Sequence, residues 1–265
     1  MKPLTVIKAL FLLPFLSSAQ DKSIYSLANP TPDNALRELS PDRPDATESP
    51  ITVDAGRFAV EVSYFDWGRD GGDDTYTILA TNFKVGINHR TDLQFVFDSL
   101  VLERPEDGTE QTDFGDVQIR LKYNLFGNDS DGPALALFPF VTIPTDTAVS
   151  SGEWEGGLIV PFAMPLTDGI GLGLMAEFDA VYDDDQDRHE FEFLHSAVLG
   201  IDLTEQLGAF VEYIGIAGEA SYEAYFSGGF TYGISENLVL DWGTTIGLND
   251  AADDLAVFGG FTKRF

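Results

Sequence analysis

Segment 115–125 alternates between apolar and polar side chains without interruption. Successive side chains of a β-strand point to opposite faces, so a period of two predicts a strand with one apolar and one polar face. The apolar face carries Val117, Ile119, Leu121, Tyr123 and Leu125. The polar face carries Asp116, Gln118, Arg120, Lys122 and Asn124.

The same alternation recurs after Gly56 in segments 58–64, 79–87, 93–98, 158–166, 170–182, 238–248 and 255–265. Clusters of Gly, Asp and Asn separate these segments, as expected for turns between antiparallel strands. About twelve segments fit, at roughly seventeen or eighteen residues for each strand and its connection, which suits membrane strands of about 9–11 residues. The sequence therefore predicts an all-β, antiparallel up-and-down barrel of about twelve strands over residues 56–265.

The beginning of the chain has the parts of a secretory signal peptide. Lys2 and Lys8 come first, the apolar run 9–16 follows, and Ser17, Ser18 and Ala19 are small residues suited to cleavage. The run is shorter than the roughly 20 residues that a membrane-spanning helix needs. We therefore expect residues 1–19 to be a cleaved signal peptide.

Alternation by itself fits both a soluble β-protein and a membrane barrel, because the membrane barrel has the same pattern turned inside out. The signal peptide favours the membrane. So does the final Phe265, which is similar to the signal read by the outer-membrane assembly machinery. Aromatic residues near strand ends, as in interfacial girdles, point the same way: Tyr64, Phe65, Trp67, Tyr182, Tyr232 and Trp242. We expect the cell outer membrane of a Gram-negative bacterium, with lipid and lipopolysaccharide as partners.

The predicted connections alternate in length. Segments 68–74, 104–113, 144–156 and 183–189 are longer and acidic, whereas 88–91, 167–169 and 235–237 are short. Outer-membrane barrels combine longer outer loops with short periplasmic turns. The pattern therefore predicts which end of the barrel faces outward.

Charge and cysteine content exclude several classes of function. Removal of residues 1–19 takes away two lysines and no acid, so the formal charge changes from −29 to −31. Nucleic acid is therefore an unfavourable partner. The absence of cysteine excludes disulfides, a lipid-modified N-terminal cysteine and cysteine-based metal sites.

Residues 20–55 are rich in Pro, Asp, Ser and Thr and show neither helical nor alternating periodicity. We expect an irregular periplasmic lead-in, either an unstructured linker or a plug folded back into the pore. The candidate plug motif consists of Arg43, Asp45, Glu48 and Ser49.

The run RPDATESPITVDAGRFAVEVSY over residues 43–64 resembles the start of the outer-membrane transporter family associated with the meta-pathway of phenol degradation. The matching positions are Arg43, Pro44, Asp45, Glu48, Ser49, Pro50, Gly56 and Glu61. A looser similarity extends through 114–127, 138–145 and 207–213. The resemblance implies an outer-membrane barrel that passes small compounds, aromatic or hydrophobic ones among them.

Polar residues on the inward strand faces are the candidate pore lining, because charges on the lipid face would cost about 2–4 kcal/mol each. They are Glu61, Lys84, Asp98, Asp116, Gln118, Arg120, Lys122, Glu177, Asp179, Glu212 and Asp241. We expect a narrow channel for passive passage of small-molecule solutes, with cation preference. The alternative is a structural barrel whose lumen is filled by salt bridges and does not conduct.

A lipid-modifying enzyme is a further alternative, but the sequence offers no nucleophile and base pair. His195 and Ser196 are neighbours and therefore point to opposite strand faces. His195 falls on the predicted lipid face, which suggests either an error of register or a bulge. The acidic run with Asp183, Asp184, Asp185 and Asp187 could hold a divalent cation, although a solvated loop is the simpler interpretation. We therefore predict no cofactor, metal site or catalytic residue.

Overall fold

The computed structural model describes residues 21–184 and 186–265. The predicted signal peptide over residues 1–19 lies outside them. Two short 3-10 helices, Lys22–Ile24 and Asp33–Ala35, precede the strands. The strands are β1 (Phe58–Asp70), β2 (Asp73–Asn88), β3 (Thr91–Arg104), β4 (Gln111–Asp113), β5 (Val117–Phe126), β6 (Ala134–Ile143), β7 (Glu155–Thr167), β8 (Ile170–Asp183), β9 (Arg188–Asp202), β10 (Leu207–Ala217), β11 (Tyr222–Ser235), β12 (Leu238–Gly247) and β13 (Leu255–Arg264).

Antiparallel pairing between neighbours in sequence continues around a closed barrel. The ladder between β1 and β13 completes it, running from Ala59 opposite Arg264 to Arg69 opposite Leu255. The backbone N–H of Phe265 adds a bond of 2.8 Å to the carbonyl of Phe58. In the described residues, closure pairs every long strand of the wall on both edges, which is the condition for a sheet in a lipid bilayer. The predicted barrel of twelve strands is confirmed.

The two faces of the wall have the opposite polarity to a soluble barrel. Exposed side chains on the outer surface include Tyr64, Phe65, Leu121, Tyr123, Leu174, Phe178, Val211, Tyr232, Trp242 and Val257. Buried side chains inside include Glu61, Lys84, Gln94, Lys122, Asn124, Ser196, Glu212, Ser227, Asp241 and Thr262. An apolar exterior around a polar interior is the arrangement that a bilayer requires.

One wall position is formed by two strands. The short β4 pairs with the outer part of β3, and β5 pairs with β3 between Thr91 and Phe97. Residues 114–116 between them leave the ladder, although the Gly115 N–H still donates to the Asp98 carbonyl at 3.0 Å. The predicted strand over 115–125 therefore begins at Val117, and Asp116 lies outside it.

The connections differ in detail from the predicted lengths. The first outer turn contains only residues 71 and 72, because β1 and β2 extend beyond the predicted boundaries. The strands of the wall have 10 to 16 residues, so many are longer than the membrane crossing requires. The short turns at 88–91, 167–169 and 235–237 lie at the same end as both termini of the barrel. Since outer-membrane barrels have their short turns in the periplasm, we call this the periplasmic end.

No helix in residues 21–184 and 186–265 is long and apolar enough to cross a membrane.

The orientation of β8 can be tested by placing an arginine on each of its faces. Leu174 is exposed on the outer wall, whereas Gly171 lines open space inside the barrel. We expect Leu174→Arg to destabilise the folded barrel in lipid vesicles by about 2–4 kcal/mol. Gly171→Arg should cost much less, because its guanidinium stays hydrated. Urea titration in vesicles measures both, and equal losses would contradict the assigned faces.

Candidate functional site in the barrel lumen

Residues 37–54, here called the lumen segment, fold back from the periplasmic end into the barrel. A loop is closed at its neck by the hydroxyl groups of Ser40 and Ser49, 2.7 Å apart. The Ser49 N–H also donates to the Asp42 carboxylate at 3.0 Å. Residues 43–48 form the tip of the loop, which reaches the inner faces of strands on several sides of the wall.

Asp42 lies at the centre of a buried charge cluster. One carboxylate oxygen bonds to Lys122 and the other to Lys84. Lys84 also bonds to Glu61 at 2.5 Å, and the Glu61 carboxylate accepts the Asp42 backbone N–H at 3.0 Å. Gln94 donates to Asp42 at 3.3 Å. Two acids and two bases therefore neutralise each other, and together they join the segment to β1, β2 and β5.

Ionisation of Asp42 depends on these neighbours. Burial by itself would raise the pKa of Asp42, but the positive charges of Lys122 and Lys84 hold it below the ordinary value. Breaking a buried pair by removal of one partner costs about 3–5 kcal/mol, because the other charge is left without compensation. Asp42 is therefore the contact on which docking of the segment most depends.

Further polar contacts hold the tip across the lumen. Arg43 forms a salt bridge of 2.7 Å to Asp241 on β12. Thr47 donates to Glu212 on β10 through both its N–H, at 2.8 Å, and its hydroxyl, at 2.6 Å. Its hydroxyl also lies 2.6 Å from that of Ser196 on β9.

Glu48 contacts two further strands. Its carboxylate is paired with Arg120 on β5 at 2.6 Å, and its N–H points at the sulfur of Met175 on β8 at 3.3 Å. Burial raises the pKa of Glu48 to about 7, the charge of Asp42 adds to the rise, and Arg120 opposes it.

The two ends of the lumen segment, at Arg37 and Asp54, are fixed at the periplasmic end of the barrel. Arg37 pairs with Asp129 at 2.9 Å and donates to the His89 carbonyl at 2.8 Å. Its own N–H donates to Asp54 at 2.9 Å, and Arg264 donates to its carbonyl at 2.7 Å. These contacts tie the segment to two periplasmic connections and to the last strand.

Part of the inner wall is apolar. Phe138, Ile159 and Met175 form a buried cluster on β6, β7 and β8, and Phe140 and Leu194 pack against it. Arg120 and Lys122 lie over the Phe138 ring, at 5.8 and 4.7 Å from its centre. A membrane barrel does not need apolar side chains inside for insertion, so this patch requires another explanation.

The predicted pore-lining residues occupy inward strand positions, with the exception of Asp116. Its carboxylate accepts the N–H groups of Thr145 and Ser151, at 2.9 and 3.0 Å, and so anchors an outer loop. Six of the others bond to the segment or its charge cluster: Glu61, Lys84, Arg120, Lys122, Glu212 and Asp241. Asp98, Gln118, Glu177 and Asp179 lie beyond the tip, toward the extracellular end.

The candidate plug motif occupies the loop itself. Arg43 and Glu48 form the salt bridges to the wall, and Ser49 closes the neck. Asp45 faces two cavities beneath the tip. Burial, with the nearby charge of Glu212, raises the pKa of Asp45 well above its ordinary value.

The sequence prediction missed Asp42, Thr47 and Gln94. Asp42 directly precedes the predicted motif, and the two lysines placed in the lumen both required an acid partner, which was an available signal. Gln94 occupies a polar position in the alternating segment 93–98 but is not among the predicted lining residues. Thr47 carries no periodic signal, since the segment is irregular.

The structure separates the side chains of the neighbours His195 and Ser196. Ser196 faces the lumen, whereas His195 faces outward, where its Nε2 lies 3.2 Å from the Tyr222 hydroxyl. The pairing of β9 is regular through this position, so neither a register error nor a bulge is involved. Residues 21–184 and 186–265 contain no group of three His, Cys, Asp or Glu able to hold a metal ion; Asp185 lies outside this range.

The family described as "Putative MetA-pathway of phenol degradation" matches residues 41–265. The chain belongs to this family. The match includes the segment tip and all thirteen strands. The resemblance seen in the sequence is therefore confirmed.

Solved structures with similar folds are outer-membrane channels and porins. A channel from Pseudomonas putida F1 is 12% identical, with a TM-score of 0.56 over 86% of this chain and 100% of that one. The NanC porin is 10% identical, with a TM-score of 0.53 over 78% of this chain and 98% of its own. The KdgM porin is 9% identical, with a TM-score of 0.52 over 78% and 99%. The likeness establishes the outer-membrane barrel fold, and with the apolar exterior it places the chain in the outer membrane. A comparison with curated proteins found no match.

Removal of the central carboxylate should release the segment. We expect Asp42→Asn to lower the free energy of opening by about 3 kcal/mol, because Lys122 loses its acid partner. That loss corresponds to about a hundredfold faster exchange of the backbone N–H groups of Asp42, Arg43 and residues 45–49. Asp33→Asn is the matched control, since the Asp33–Arg57 pair is exposed and worth less than about 1 kcal/mol. Equal exchange in both variants would contradict the central role of Asp42.

Docking of the segment should weaken as the pH rises. The pKa of Glu48 is higher in the docked segment, about 7, than its ordinary value of 4.5, so docking favours the protonated form. The contribution is complete below about pH 4.5 and is lost as the pH rises through about 7. Asp42, with its lowered pKa, stays ionised in this range. Exchange of the backbone N–H groups of Asp42, Arg43 and residues 45–49 should increase from pH 5 to 8 after correction for intrinsic rates. A Glu48→Gln variant that kept the full dependence would refute this assignment.

Proposed function

We propose that this protein is a passive outer-membrane channel for small solutes, closed at rest by the lumen segment. The proposal rests on the way in which the segment closes the lumen. An irregular segment, held mainly by side-chain contacts, fills a lumen that the twelve-strand wall itself leaves open. Since these contacts can break without disturbing the β-ladders, the lumen can open while the barrel stays folded.

The apolar patch supports solutes with apolar surface. Phe138, Phe140 and Leu194 line the same region of the wall as Met175, beside the tip of the segment. Once movement of the segment uncovers this apolar surface, contact with an apolar solute is favoured by about 25 cal/mol for each Å² removed from water. The family description, which names phenol degradation, agrees with small aromatic compounds as candidates.

A filled structural barrel is the second candidate. The buried cluster of Asp42, Glu61, Lys84 and Lys122 favours it, because such a neutral network also stiffens a lumen that never opens. The two functions differ in conductance. A stable filler leaves the membrane insulated, whereas a displaceable segment permits current.

A catalytic role has weak support. In the described lumen, Ser196 is bonded to Thr47, while the neighbouring histidine lies on the other side of the wall. We infer that the chain is not an enzyme. Release of fatty acid from labelled phospholipid by the refolded protein would contradict this inference.

Single-channel recording in planar bilayers tests the channel directly. The mature chain should give small, infrequent current steps, and a chain lacking residues 20–55 should give larger steps, because the obstruction in the lumen is gone. The shift of folded barrels on unheated gels controls for folding of both proteins. Silence from both forms would refute an ion-conducting channel and favour the filled barrel. Equal steps would show that the segment does not close the pore.

A further inference from the structure

Two cavities adjoin the lumen segment on its periplasmic side. Their volumes are about 560 and 490 Å³. Asp45, Gly171 and Gly200 line both, so the cavities are two parts of one chamber between the segment and the wall. Each part lies in the range of about 300–1,000 Å³ that is usual for small-molecule sites.

Glycines form much of the chamber wall, at inward positions of β8, β9 and β10. Glycine weakens a strand and often marks a place where another group approaches closely. An added Cβ at Gly173 would lie 2.7 Å from a methyl group of Val198 and 3.1 Å from the Thr47 methyl group. At Gly171 and Gly200, however, an added Cβ would meet no atom within 4 Å. The neighbouring strand and the segment therefore together explain Gly173, and the space at the other two positions is unused.

On the β8 side the chamber is closed above by one weak contact. The Glu48 N–H holds β8 through the Met175 sulfur, which is a poor acceptor. The apolar cluster around Phe138 and Ile159 lies directly beside this contact. On the opposite side, by contrast, the segment is fixed by the buried charges around Asp42. Displacement between Glu48 and Met175 thus requires less free energy than release of the whole segment.

We propose that solutes cross the barrel on this side, passing between Glu48 and Met175 into the glycine-walled chamber and from there to the periplasm. The inference rests on the proposed channel function and names its path. The chamber accepts a small uncharged organic solute with apolar surface. Carboxylate anions are disfavoured, because Glu38 lines both cavities, with Asp202 beside it in one and Asp131 in the other.

The path can be tested with single introduced cysteines. The natural chain contains no cysteine, so a thiol reagent labels only the introduced position. Gly171→Cys and Gly200→Cys place a thiol in the chamber. Gly68→Cys, near the outer end of β1, is the matched control, since an added Cβ there also meets no atom within 4 Å. Folded barrels are treated with benzyl methanethiosulfonate while labelling and single-channel conductance are recorded. Two positions are tested so that a failure of one variant to fold does not decide the result.

We expect both chamber cysteines to be labelled and their conductance to fall by about half or more, since a benzyl group attached to the chamber wall obstructs the passage beside the segment. The labelled control should keep its conductance. Relative to Gly68→Cys, the anionic sulfonatoethyl reagent should label the chamber more slowly than the cationic trimethylammonium reagent.

The outcomes separate the path from the channel function. Labelling that leaves the current unchanged overturns the path and leaves the channel standing. Chamber thiols that do not react overturn the open chamber, and faster labelling by the anionic reagent overturns its selectivity. A barrel that is silent before labelling overturns the proposed function, and the path with it.

Discussion

The carboxylate of Asp42, held between the ammonium groups of Lys84 and Lys122, is the interaction on which the closed lumen depends. Two lysines on the inner wall are costly to bury unless an acid meets them. Glu61 supplies one acid from the wall, and Asp42 brings the second from a segment without regular structure. Since neither part is neutral alone, the barrel and its lumen segment complete each other electrostatically.

The need to satisfy a bilayer explains why these charges face inward. A closed sheet satisfies its backbone groups through its ladders, and apolar side chains then cover its outer face. Period-two alternation places the polar set inside, where lipid does not penetrate. Once inside, the polar side chains can bind water, a solute or protein. In this chain the lumen segment takes that position through backbone N–H groups as well as side chains, as Glu212 shows with Ala46 and Thr47.

The lumen is chemically asymmetric, and the asymmetry bears on function. Charged contacts from β1, β2, β5 and β12 fix one side of the segment, while the side facing β6, β7 and β8 offers phenylalanine, isoleucine, methionine and glycine. Interactions between buried charges are strong and directional, so the first side resists displacement. Apolar and glycine surfaces impose no such geometry. Movement of a small part of the segment is therefore easier than its removal.

The sequence by itself determined the fold class and the faces of the strands, because consecutive side chains of a strand must alternate whatever the rest of the chain does. It placed Lys84, Glu212 and Asp241 inward and put His195 outside. Only the tertiary structure decided which inward charges meet. Asp42 joins Lys84 and Lys122 through the fold-back of an aperiodic segment, and Asp116 leaves its strand to bind a loop. Such contacts depend on strand stagger and loop path, which leave no period in the sequence.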